Sequence, residues 1–185
     1  MANKYYRCDL TAVHETNAGG RIHSVKTEKE IPNGVFCVIS KYVEGSTEIK
    51  KMVAPKATDL EIAIVQKPEI NYDERFKADQ AIGEFRNEAN SIVPAVILSN
   101  HDGIDLSQDY FGAENPQVGE IYTIEENLVA GTQLKKKEDT ELPDKGVALR
   151  VIGVKPSCIA NFIVDKTNRM PKPYNMIQLE VVIVG

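Results

Sequence analysis

The sequence predicts a mainly β (α+β) protein, an antiparallel β-barrel or sandwich-like domain of about ten short strands with one packed helix. Three observations carry this prediction. Short runs rich in Val, Ile, Tyr and Thr recur along the 185-residue chain, separated by Gly, Pro and Asn turn signals. A single segment, Asp73–Glu88, switches to helical spacing. The stretch Pro116–Leu134 reads as strand, turn, strand, and similar units recur on either side of it.

Taken in order, Met1–Gly20 is polar and irregular, with Tyr5, Tyr6 and Leu10 as anchors. It is expected as an N-terminal arm (residues 1–20), separate from one β-rich domain over residues 21–185. Arg21–Val25 alternates in strand fashion. Pro32-Asn33-Gly34 is a strong turn signal, because Asn-Gly tolerates positive backbone angles at low cost. Val35–Tyr42 follows as a central strand, apolar on both sides for several residues. Glu44-Gly45-Ser46 turns the chain into a return strand over Thr47–Ala54. In Asp59–Gln66, Leu60, Ile62 and Ile64 oppose Glu61, Ala63 and Val65, which predicts one buried face and one partly wet face.

Asn71-x-x-Glu74 has the spacing of a capping box, and Ala78, Ile82, Phe85 and Ala89 then fall at helical intervals. The narrow apolar stripe predicts a helix lying on a sheet with its charged face in water. Ala95–Leu98 is a short strand after Pro94, and Ser99–Pro116 is expected as a long surface loop carrying a short turn of helix. Gly146–Val154 is a strand expected to pair with Cys158–Val164. Met176–Val184 closes the chain as an apolar strand of the main sheet. Burial is expected for Val35–Ile39 and Val181–Val184.

Composition sets limits on function. A hydrophobic share of 42% with 26% charged residues fits a globular chain with a sizeable core. A net charge of −5 argues against nonspecific phosphate binding, so no nucleic-acid partner is expected. The one tight basic cluster, Lys135–Lys137, runs directly into Glu138 and Asp139. No run approaches the roughly 18 apolar residues of a membrane span, and the N-terminus has no apolar core of signal-peptide length. Cys8, Cys37 and Cys158 are odd in number and form no CxxC. Their main reading is structural thiols made in a reducing compartment, with a disulfide or a metal role as the alternative.

Catalytic signatures are missing from the linear sequence. His101-Asp102 with Asp105 and Asp109 is rich in oxygen, yet lacks the spacing and terminal glutamate of an EF-hand. There is no HExxH, GxSxG, Walker A loop or GxGxxG. No catalytic residue, cofactor or metal ligand is therefore expected. Tyr5, Tyr6, Tyr110 and Phe111 stand out as aromatic residues in polar segments, and Lys4 and Arg7 flank the first two. Two readings are open for them: anchors for a partner surface, or side chains that tuck their own loops onto the domain.

From Asn33 to the C-terminus the pattern resembles small head-associated structural proteins of tailed bacteriophages. It rests on Asn33-Gly34-Val35-Phe36, the turn at Glu44-Gly45, and Pro68-Glu69-Ile70-Asn71-Tyr72-Asp73-Glu74. Val93-Pro94-Ala95-Val96 and Gly119-Glu120-Ile121-Tyr122-Thr123-Ile124 complete it. The Ser99–Pro116 segment is longer than that pattern requires. The resemblance implies a decoration protein that binds the outside of the major capsid protein lattice. It would be made in the host bacterial cytoplasm and reside on the virion surface, alone or as a homo-oligomer. Another virion component, from tail or connector, and a small β-barrel enzyme or ligand-binding protein are the alternatives.

Overall fold

A computed structural model describes residues 6–12, 20–68, 85–138, 141–155, 162–164, 171–173 and 175–185. The strands are β1 (Cys8–Ala12), β2 (Ile22–Lys26), β3 (Phe36–Tyr42), β4 (Lys50–Val53), β5 (Ala63–Val65) and β6 (Ile92–Ile97). They continue with β7 (Gly103–Ser107), β8 (Ile121–Ile124), β9 (Leu134–Lys136), β10 (Gly146–Lys155), β11 (Phe162–Val164), β12 (Pro171–Pro173) and β13 (Met176–Val184). The order β2-β4-β3-β5-β6 closes a barrel, β1-β7-β13-β10-β8-β9 forms an antiparallel sheet, and β11 pairs with β12. The protein is thus mainly β, with a barrel and a sheet sharing one continuous core.

The registers explain how that core is shared. In the barrel, Cys37, Ala63 and Ile97 lie side by side, as do Val25 and Val93, with their side chains on the inner face. Phe36, Ile64 and Val96 are in register on the other face, the one that carries Ile22 on β2. Ile22 is 50% exposed, whereas Phe36 and Ile64 are fully buried. The outer face of β3, β5 and β6 therefore belongs to the same core as Leu149, Val151, Ile177 and Leu179 of the sheet. This is why β5 departs from the expected alternation. Ala63, Ile64 and Val65 are all buried, because one face lines the barrel and the other packs outward into that shared core.

One ion pair ties the two units where the chain passes between them. Arg21 donates to the Ile97 carbonyl from Nε (3.0 Å) and Nη2 (2.8 Å), and also to the carboxylate of Asp102. Asp102 accepts a further bond from the Ser99 backbone N–H at 2.7 Å. Its side chain is 2% exposed, so the pair and these hydrogen bonds compensate its desolvation.

Several expectations need correction. Asp73–Glu84 of the expected helix lies outside the described residues, and its described end, Phe85–Glu88, is not helical. Asn87 instead forms an antiparallel bridge with Ile31. The one helical turn among the described residues is the short 3-10 turn Gln108–Phe111, so no packed helix is seen there. Ser99–Pro116 is not a plain loop, because its middle is β7, an interior strand of the sheet. Within the expected arm, β1 pairs with β7 and forms an edge of the sheet, so Cys8–Ala12 is integrated into the domain. β10 pairs with β13 and β8, whereas β11 pairs with β12. Val35–Cys37, Val181 and Val182 are buried as expected, while Val38, Ile39, Ile183 and Val184 are half-buried. No described helix is long and apolar enough to cross a membrane.

Cys8 and Cys37 are buried, and Cys158 lies outside the described residues. Burial pushes the Cys37 thiol from 9.0 up to about 12. Between those values the unfolded chain releases a proton that the folded chain keeps, so the stabilisation present below pH 9 is lost as pH climbs toward 12. Urea denaturation at stepped pH should show wild type losing stability more steeply than Cys37→Ala across this window. Parallel curves for the two proteins would refute a buried neutral thiol.

Candidate binding cavity

The barrel contains one parallel pair, and a cavity opens where that pair separates. β2 and β4 are in register only at Val25↔Lys50 and Lys26↔Lys51. After Lys26 the chain follows residues 87–91 instead. The Thr27 N–H donates to the Ser91 carbonyl (3.0 Å), and the Asn90 N–H donates to the Thr27 carbonyl (2.9 Å). The Thr27 hydroxyl donates to the Glu88 carbonyl at 2.8 Å, and Ile31 and Asn87 exchange backbone bonds of 3.1 and 2.7 Å. β4 stays with β3, pairing Val53 with Val38. The space between the diverging segments is a cavity of about 550 Å³.

Ile31 and Pro32 form one wall, Met52 and Ala54 a second, and Leu128, Val129 and Ala130 of the β8–β9 connection a third. Tyr6 adds an aromatic ring, and Glu28, Lys29 and Glu30 stand on the exposed lip. None of these three charges has a hydrogen-bond or ion-pair partner among the described residues.

The third wall is rigid for local reasons. Asn127 Oδ1 accepts from the Val129 N–H (2.9 Å) and the Thr132 hydroxyl (3.3 Å), and its Nδ2 donates to the Thr132 carbonyl (3.2 Å). Gly131 has φ +79°, and a Cβ there would lie 2.6 Å from the Tyr6 hydroxyl oxygen. Only glycine suits both the backbone angle and the space.

Gln133 fixes that wall to the barrel. β4 runs on into Ala54-Pro55 after Val53, and proline has no N–H to continue a ladder. Phe36, on the uncovered edge of β3, is paired by a side chain instead. Its N–H donates to Gln133 Oε1 at 3.0 Å, and its carbonyl accepts from Gln133 Nε2 at 2.7 Å. The same Nε2 donates to the Asn127 carbonyl at 2.6 Å. Asn33 does similar work for Lys67, whose N–H and carbonyl it engages at 3.0 and 2.7 Å. The Asn33 backbone carbonyl in turn accepts the Tyr110 hydroxyl.

Tyr6, Tyr110 and Phe111 are all buried. Tyr6 and Tyr110 meet edge to face at 5.0 Å, as do Phe111 and Tyr122 at 4.9 Å. Tyr6 donates to the Ala130 carbonyl at 3.0 Å and carries the Arg86 guanidinium over its ring at 5.1 Å. Burial, then Asp109, raises the Tyr6 phenol above its usual value against the opposing effect of Arg86, so it remains a hydrogen-bond donor. Of the two readings left open, these three rings follow the internal one, and Tyr6 also faces the cavity. Arg7 donates its N–H to Ser107 Oγ (3.0 Å) and contacts Asp9 at 3.4 Å. Lys4 and Tyr5 lie outside the described residues.

Ile31, Met52, Leu128 and Ala130 were not anticipated as site residues, because single apolar residues in turns and strand ends resemble ordinary core positions. The usable signal was Gly131 followed by a polar Gln133 ahead of a strand. Among the described residues no group of three His, Cys, Asp or Glu side chains is placed to hold a metal. The cavity lies within the roughly 300–1,000 Å³ range of ligand sites, and its carbon-rich walls suit burial of an apolar group. Comparison with protein-family models, curated proteins and solved structures finds no match to this chain.

Gln133→Ala leaves the buried Phe36 N–H and carbonyl without their partner, which should cost about 2–4 kcal/mol. Hydrogen exchange should show the Phe36 amide losing protection by more than the global loss of stability. Unchanged stability and protection would mean that water substitutes for the side chain.

Proposed function

We propose that this chain is a virion structural protein of the head-decoration type. In this reading it binds the outer surface of the assembled major capsid protein lattice, stabilises the head and catalyses no reaction. The observation that carries it is the cavity: walled largely by carbon and lipped by charges without a partner among the described residues, it is suited to recognition rather than bond chemistry. The resemblance from Asn33 onward supports a capsid as the partner. The acidic net charge suits a protein that stays soluble until it meets its lattice. Stabilisation then follows by linkage, because a ligand that binds only the assembled shell shifts the equilibrium toward it.

The test is co-sedimentation of the purified chain with undecorated heads of the virus that encodes it, beside unassembled capsid protein. Saturable binding to heads, weak binding to free subunits and a raised head melting temperature are expected. Equal binding to free subunits, or none to heads, would overturn the reading.

A further inference from the structure

The cavity has a polar feature beyond its apolar walls, the unaccompanied edge of β4. On one side β4 is covered by β3 through Ile39↔Met52 and Val38↔Val53. On the other, β2 accompanies it only as far as Lys51. From Met52 to Ala54 the second edge runs along the cavity with no strand beside it among the described residues, and both end residues line the space. The opposite lip carries two carboxylates, Glu28 and Glu30, against one ammonium, Lys29, none with a partner among the described residues.

We propose that the cavity receives an extended peptide segment that adds to the free edge of β4. Backbone groups of the segment pair along Met52–Ala54, the mode by which strands are added to open sheet edges. Because side chains alternate along a strand, every second residue of the segment points into the space bounded by Ile31, Met52, Leu128 and Ala130. Those positions take aliphatic side chains. The two carboxylates of the lip favour a Lys or Arg beside the aliphatic positions, as charge complementarity requires. The segment belongs to the surface that the chain binds, so this inference rests on the binding reading above.

The experiment is selection from a displayed random heptapeptide library on the immobilised full chain. Ala54→Trp, which fills the cavity, provides the counter-selection. A second variant, Glu28→Lys with Glu30→Lys, alters only exposed lip residues and decides the matter if Ala54→Trp fails to fold. Enriched peptides should alternate aliphatic residues and carry Lys or Arg. They should bind the lip variant severalfold more weakly, and N-methylation of the amides that face β4 should weaken binding about tenfold. The proposal is overturned if no peptide is enriched over the counter-selection, if N-methylation changes nothing, or if the lip variant binds equally well. Sedimentation with heads that persists without any peptide enrichment rejects the peptide assignment alone. Absence of both rejects the functional reading as well.

Discussion

The pairing of Gln133 with Phe36 is the constraint on which the joint between barrel and sheet depends. A buried strand edge must have partners for its N–H and carbonyl groups, and Phe36 is fully buried on an edge that β4 has already left. One primary amide offers a donor and an acceptor in the geometry of a peptide group, so it can stand in for a missing strand. Gln133 does this from the sheet side of the molecule and hydrogen-bonds its own loop at the same time. Replacing a backbone ladder by a side chain joins two β units without requiring a continuous sheet between them.

That device also leaves room for the cavity. Had β4 continued in register beside both neighbours, the barrel wall would have been closed. Divergence of the parallel pair β2 and β4 opens it, and the Asn127 network holds the β8–β9 connection across the gap. The β8–β9 wall is therefore set by hydrogen bonds within its own loop, so a segment entering the cavity has less loop-ordering cost to offset.

Much of the architecture was legible in the sequence because alternation and turn chemistry are local signals. Met176–Val184 and the first half of the Pro116–Leu134 unit carry both, and they appear as β13 and β8, whereas the return strand of the hairpin lies further on, at Leu134–Lys136 in the basic cluster. What was not legible depends on distant packing. β7 hides in a segment rich in Asp, Ser and Gly, since its strand character comes from pairing with β1 and β13. β5 lost its expected wet face to the shared core, a tertiary effect that overrides a correct local pattern. Tyr6 and Tyr110 looked like surface anchors because their neighbours are polar, yet their rings close the core and their hydroxyls find backbone acceptors. Beyond Gly131 and Gln133 in one wall, the cavity gave no signal, because an opening between diverging strands belongs to topology rather than to any motif.

The placement of β1 has a consequence for the order of events during synthesis. The barrel strands span the contiguous stretch from Ile22 to Ile97, so they can assemble with relatively local partners. β1 leaves the ribosome first, yet its partner β7 is made long afterwards; the Arg7–Ser107 contact spans 100 residues. At roughly 5–20 residues per second, the first strand waits on the order of 5–20 s for its mate. Throughout that interval its ladder groups and Tyr6 lack their final positions, so β1 settles after the barrel strands that follow it in the chain. The barrel strands can thus assemble beside an unfinished sheet, and β1 is fixed only once β7 has been made.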